Sequence, residues 1–229
     1  MNYLTEALAW IADPANQSGP NGILARLAEH LLYTLIATGG AALLAIPIGY
    51  AIGHTGRGSG LVVGATGAAR ALPTLGVLTL IALLAGIGIG APLIALGVLA
   101  APSILAGAYS GVQAVEPSTV DAARAIGMSE WQVLWRVEIP LGLPQLIGGL
   151  RSAVLQVMAT ATLVAYVGGG GLGRFLFLGL KTQDYPQMLA ASLLVVALAV
   201  VCEGLFEVSV RVSLARKAAR SRSPQLIGG

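Results

Sequence analysis

The sequence predicts an all-α polytopic membrane protein with about five transmembrane helices. Three observations carry that expectation. Of 229 residues, 56% are apolar and 10% are charged, and the mean hydropathy is +0.82; a soluble domain carries about 25% charged residues. The charges are also badly spread. Only Arg57 and Arg70 fall between His30 and Val115, only Arg151 between Ile139 and Gly173, and none between Tyr185 and Cys202. Finally, these uncharged stretches reach the length of about 20 residues that a helix needs to cross the hydrocarbon. A core helix of a soluble protein keeps a wet face. The composition therefore excludes a soluble enzyme, a disordered chain and a disulfide scaffold. The single Cys202 has no internal partner.

Residues 1–29 do not read as a signal peptide, because Glu6 and Asp13 stand where a basic segment belongs. Tyr3, Leu4, Ala7, Leu8, Trp10 and Ile11 predict a short amphipathic helix outside the cytoplasm, with Trp10 at a membrane interface. A loop rich in Pro, Asn and Gly follows, from Asp13 to Gly22. The membrane domain covers 30–212. Its spans fall near 31–52, 60–85, 91–112, 146–167 and 187–210. Pro73 lies inside the second run and Pro102 inside the third. Membrane helices tolerate Pro where neighbours satisfy the freed carbonyl, so the second run reads as one kinked span rather than two half-helices. Gly49 and Gly53, Gly60 and Gly64, and Gly149 and Ala153 are spaced by four, which lets helix backbones approach closely in a packed bundle.

Arg57, Arg124, Arg136, Arg211, Arg216, Lys217, Arg220 and Arg222 share one side on this topology, against Arg26, Arg174 and Lys181 on the other. The positive-inside rule then puts the first and third loops and the basic tail, 213–229, in the cytoplasm and the N-terminus outside. The same scatter answers the pI near 9.3. The basic residues mark topology and form no stripe for nucleic acid.

The segment 113–140 stands apart. It holds Glu116, Asp121, Arg124, Glu130, Arg136 and Glu138 between two uncharged runs. Ser118-Thr119-Val120-Asp121, with Pro117 before it, reads as a capping box, and Ser129-Glu130-Trp131-Gln132 as a second. Gly127 lies between them, where a helix ends in a left-handed residue. The expectation is a short helix exposing Ala122, Ala123 and Ala125, a glycine corner, and a second short helix ended by Pro140. Trp131, Leu134 and Trp135 share one apolar face of that second helix, on the bundle or the membrane surface.

At these residues the chain resembles the permeases of ATP-binding-cassette importers. Their EAA motif reads Glu-Ala-Ala, three residues, Gly, nine residues, Ile-x-Leu-Pro. Here Asp121-Ala122-Ala123, Gly127 and Val137-Glu138-Ile139-Pro140 stand at that spacing, and each replacement keeps charge or shape. Thr160-Ala161-Thr162-Leu163 followed by Gly168-Gly169-Gly170-Gly171-Leu172-Gly173 is similar to the osmoprotectant branch (glycine betaine, carnitine, choline), and methionine permeases carry a similar Gly run. Arg70-Ala71-Leu72-Pro73 adds to the likeness, which extends from Ala28 to Arg211.

The resemblance implies a type I importer of the bacterial inner (plasma) membrane. Two permease chains, identical or different, would work with a cytoplasmic ATPase dimer and an external solute-binding protein in membrane lipid. ATP and Mg would sit on the ATPase. This chain has no phosphate-loop pattern, and Gly168 to Gly171 lacks the Lys such a loop needs. It reads as a hinge at an outer gate or as a helix cap and turn. Asp121, Ala122, Ala123, Gly127 and Pro140 are the candidates for coupling to the ATPase. The few aromatic residues place any cage for a quaternary ammonium group on the binding protein. Tyr109, Ser110, Gln156, Met158, Thr160 and Thr162 are then the candidates for the translocation path. Gln156 and Thr160 share a face with Val164, so not all of them can point inward.

Intramembrane charges need partners. Glu203 is expected to meet Arg151 or Arg70, as a clasp fixing the bundle or, alternatively, as the ion site of a secondary transporter. Glu207 and Arg211 are spaced for an i, i+4 pair. An enzyme is disfavoured: His30, His54 and Cys202 show no metal-ligand spacing, and there is no Gly-x-Ser-x-Gly elbow.

Overall fold

Helix formers and small residues dominate every uncharged stretch, and the chain folds accordingly. The computed structural model describes residues 2–86 and 88–222, without the side chains at 61, 69, 70 and 209–222. Among the described residues all regular structure is helical. Helices α1 (Tyr3–Ala12) and α2 (Pro14–Gln17) lead into α3 (Ile23–Thr55). Then come α4 (Ser59–Ala71), α5 (Thr74–Ala85), α6 (Gly90–Gln113) and the short α7 (Pro117–Ala125). Helix α8 (Glu130–Val133) runs through a π turn (Leu134–Glu138) into α9 (Ile139–Thr160) and a 3-10 segment (Ala161–Val167). Helices α10 (Gly173–Thr182) and α11 (Tyr185–Arg222) complete the chain.

Four of these are long and apolar enough to cross a membrane: α3, α6, the rod Glu130–Val167, and Tyr185–Val208 of α11. Helix α6 lies at the centre, packed on α3 and α9 and flanked by α4 and α5. The core between them takes Tyr33, Tyr50, Leu96, Ile104, Leu146 and Val157. Small residues set the spacing. A Cβ on Gly107 would lie 2.8 Å from the Gly149 Cα, and one on Gly111 would lie 2.6 Å from the Gly142 oxygen. Gly49 meets α6 as closely, at 2.6 Å from the Ala108 Cβ. Backbones this near exclude a side chain larger than hydrogen. Gly60 and Gly64 differ, since nothing lies within 4 Å of the side chain either would carry.

The run 60–85 is two helices rather than one kinked span. Leu72 is extended, with ψ 128, and Pro73 follows with ψ 112. Pro lacks the N–H that would continue α4, and it pushes the residue before it out of the helical region. The Pro73 carbonyl instead accepts from Val77 N–H and opens α5.

Pro140 does not end a helix either. Its place, just after the π turn in the first turn of α9, gives its ring room that an ordinary turn would deny. Nor is Ser118 an N-cap, because α7 already begins at Pro117. Pro is favoured in a first turn because its missing N–H would find no partner there.

Helix α1 packs along α11. Trp10 meets Phe175 edge to face at 5.1 Å, and Tyr3 meets Tyr185 at 5.9 Å. Helix α11 carries the basic tail as far as Arg222; residues 223–229 lie outside the described residues.

Candidate functional site

At one end of the bundle, α7 and α8 form a charged cap. Gly127 separates them in the left-handed conformation, φ +89, as a helix-ending glycine does. Ser129 caps α8: its hydroxyl accepts from Gln132 N–H at 3.4 Å, and the Gln132 side chain accepts from Ser129 N–H at 2.9 Å. Ala123 turns inward against Val115, Val120 and Val133, where exposure had been expected. Ala122 and Ala125 do face out, and Ile126 beside them is 81% exposed. Asp121 stands exposed, 3.6 Å from Arg124.

A chain of polar side-chain contacts ties this cap to the bundle. Arg124 donates to both carboxylate oxygens of Glu130 at 2.9 Å. Those hydrogen bonds hold the Glu130 carboxyl below its ordinary range and push the Arg124 guanidinium further up. Across from Glu130, His54 Nε2 lies 3.3 Å away at the end of α3, and His54 Nδ1 meets Glu138 at 2.6 Å. Glu138 is 5% exposed. Gln113 adds a hydrogen bond to the Gly53 carbonyl at 2.7 Å. Trp131 and Trp135 pair at 5.4 Å on the outer side, while Leu134 is buried, so the predicted shared face divides between surface and bundle.

Between α4, α6 and α9 lies a cavity of about 510 Å³, and every residue lining it is uncharged. Thr66, Ser103, Tyr109, Ser110, Gln145, Ser152 and Gln156 supply its polar groups. Ser103 donates to Gln156 across it at 3.4 Å. Tyr109, Ser110 and Gln156 therefore line one cavity. Met158, Thr160 and Thr162 do not join them. Met158 is fully buried, Thr160 donates back to the Gln156 carbonyl at 2.8 Å, and Thr162 donates to the Ala159 carbonyl at 2.9 Å.

Toward the opposite end, α3 grips the glycine run. Glu29 accepts from Gly171 N–H at 2.8 Å, and Arg26 donates to the same carboxylate oxygen at 2.7 Å. His30 is fully buried, and its Nε2 donates to the Met158 carbonyl at 2.9 Å. That carbonyl sits where α9 tightens into the 3-10 segment and exchanges i+4 partners for i+3 ones. Gly168 and Gly171 adopt φ +89 and +79, and a Cβ on Gly170 would collide with Glu29. Glu29 thus holds the end of the run, while His30 beside it on α3 holds Met158 upstream of the run. Sequence reasoning assigned Glu29 and His30 no part in this grip.

The intramembrane charges also meet. Arg151 Nε donates to Glu203 at 2.8 Å, its Nη2 donates to the other Glu203 oxygen, and its Nη1 reaches Glu207 at 3.4 Å. Glu207 therefore takes Arg151 as a partner, in place of sole reliance on Arg211. The side chains of Arg70 and Arg211 lie outside the described residues. Among the described residues no group of His, Cys, Asp and Glu is placed to hold a metal ion.

An uncharged cavity between the short α4 and two membrane-length helices, α6 and α9, whose adjoining ends carry the charged cap, fits the class of membrane transport permeases. Its family is specific: the chain belongs to the inner membrane components of binding-protein-dependent transport systems, whose family model matches residues 45–214. It is 30% identical to the glycine betaine/carnitine/choline transport system permease protein OpuCB of Bacillus subtilis, over 85% of this chain and 90% of that one. It is 32% identical to the osmoprotectant import permease protein OsmW of Salmonella typhimurium, over 80% and 88% of the two chains. Among solved structures, an inward-facing MetNI methionine ABC transporter matches with a TM-score of 0.73 at 22% identity, over 86% of this chain and 99% of that one. That likeness is one of fold.

Proposed function

We propose that this permease carries a small osmoprotectant (glycine betaine, choline or carnitine) across a bacterial inner membrane, driven by a cytoplasmic ATPase that docks on α7. The observation that carries the coupling role is the cap. Ala122, Ala125 and Ile126 present a small-residue face with one apolar knob, while Ala123 and the Arg124–Glu130–His54–Glu138 chain root that face in α3 and α9. A helix so rooted moves its neighbours as a rigid body when a partner pulls on it. In this reading the cap lies in the cytoplasm with the C-terminus, and the N-terminus and glycine run lie outside. ATP and Mg belong to the ATPase, which works as a dimer. A second permease chain completes the passage and an external binding protein delivers the solute.

Thr66, Tyr109, Ser110 and Gln156 offer hydroxyl and amide groups to a passing solute. Tight selection then falls to the binding protein, because a cage for a quaternary ammonium group needs several aromatic faces and this cavity has one, Tyr109. The names of the osmoprotectant permeases that the chain resembles support the substrate class. The Arg151–Glu203 pair supports a structural clasp rather than an ion site, since both charges are already partnered.

The test is Gly127→Val in the complex reconstituted with its ATPase and binding protein. A β-branched residue at φ +89 is a genuine backbone outlier, costing on the order of 1–2 kcal/mol. ATP-driven betaine uptake should fall severalfold while ATPase turnover continues without it. Normal assembly and normal uptake by Gly127→Val would refute the coupling role. Titration of the binding protein with betaine, choline and carnitine tests the substrate class, and no saturable binding by any of the three removes it.

A further inference from the structure

We propose that the cavity beside α10 is a binding site for the headgroup of an anionic phospholipid. It measures about 590 Å³ and is lined by Arg26, Arg174 and Lys181, with Asn21 beside them. No carboxylate lines it. Arg174 and Lys181 are seven residues apart, two turns of α10, and so share one face of that helix. Arg26 comes from the start of α3, so the three cations converge from two elements. Glu29 neutralises one of them, through its contact with Arg26. Arg174 spends its Nε on the Gly169 carbonyl at 3.2 Å, which aims its outer nitrogens without removing its charge. The surplus positive charge calls for an anion with several acceptor oxygens, as a phosphate has.

The rest of the lining separates a lipid from a free anion. Tyr166 and Phe177 pair at 5.7 Å along the cavity, and Leu178 is 53% exposed beside them. Leu180, on the same short helix, is 55% exposed. A free phosphate has no use for such a rim, whereas a phospholipid brings acyl chains to cover it. Helix α10 carries both characters within ten residues, as a helix lying at the level of the headgroups does. Basic pockets between membrane helices recognise lipid headgroups by this combination of cations and apolar walls.

The experiment uses the intact transport complex in phosphatidylcholine nanodiscs doped with phosphatidylglycerol, with retained lipid counted by native mass spectrometry. Wild type should retain phosphatidylglycerol in preference to phosphatidylcholine. Arg174→Gln/Lys181→Gln should lower its apparent affinity about tenfold or more, as loss of two charge-assisted contacts requires. Arg174→Lys/Lys181→Arg should keep it, and a complex of normal size in each case separates lost binding from misfolding. Arg57→Gln/Arg136→Gln, with equal loss of charge at the other end, should retain the lipid. Equal retention by the Gln variant and wild type overturns the proposal, as does equal loss in the charge-matched control. Displacement of the lipid by inorganic phosphate at comparable concentration reduces the site to an anion hole and also overturns it. So does an outcome in which the Gln variant keeps its lipid but no longer captures the binding protein, which would give the cations to a protein partner.

Discussion

Replacing His54 by Ala removes the contact that joins α3 to both carboxylates of the cap. The cost follows from what is left behind. Glu138 is 5% exposed and faces His54 Nδ1 at 2.6 Å. Leaving a buried polar group without its hydrogen-bond partner costs about 1–3 kcal/mol, because the group stays desolvated. Glu130 is exposed and keeps Arg124, so its share is minor. A cavity of about 220 Å³ adjoins His54 and Glu138 and lets water reach the abandoned carboxylate. A cost within that range, about 2 kcal/mol, is therefore expected. The assay is a double-mutant cycle with His54→Ala, Glu138→Gln and the pair, read by thermal unfolding of the intact complex. Glu138→Gln replaces the carboxyl that His54 contacts, so His54→Ala should cost much less in that background. An equal cost of His54→Ala in both backgrounds would refute the reasoning, because the contact would then carry no coupling energy.

The other clasps make parallel predictions. Arg151→Met should destabilise the complex, and adding Glu203→Gln should recover part of the loss in the same unfolding measurement. Gln156→Leu removes a polar group from the cavity wall and should slow betaine uptake while complex assembly, seen by size exclusion, stays normal. Gly171→Ala strains a backbone at φ +79 and brings a Cβ within 3.2 Å of His30 Nδ1. It should loosen the glycine run by about 1–2 kcal/mol and be read as faster hydrogen exchange over residues 161–173.

Much of this was legible in the sequence because charge is scarce. Arg151 and Glu203 stood out as charges in apolar runs, and a charge in such a place needs a partner; the structure supplies it. Gly127 was legible from its position between two helix-start signals, and its positive φ follows. What escaped were meetings across long sequence distance. His54 and Glu138 are separated by 84 positions, and Glu29 and Gly171 by 142. Each of these residues looks ordinary alone, and periodicity says nothing of which helix ends lie side by side. Ala123 was misplaced because helical spacing fixes which residues share a face but not which face turns inward. The path residues fared the same way. Gln156 and Met158 sit two apart on α9, about 200° around a helix, so the wall that holds one excludes the other. Pro73 and Pro140 show that the rule for Pro depends on its surroundings. One breaks its run, whereas the other is accommodated by a π turn.

That π turn has a mechanical consequence. It joins the cap to the cavity wall, making Glu130 to Val167 one continuous helical rod. Gln156 stands 25 positions beyond Trp131 on that rod, about 37 Å at 1.5 Å per residue. A tilt of about 5° pivoting at the cap end therefore sweeps the Gln156 position through roughly 3 Å, near the width of a water molecule. Pro144 removes one ladder hydrogen bond along the way, and the next change of helical form comes at Ala161, beyond the cavity. In the proposed complex a small stroke at the ATPase would reach the solute amplified by the length of a single lever.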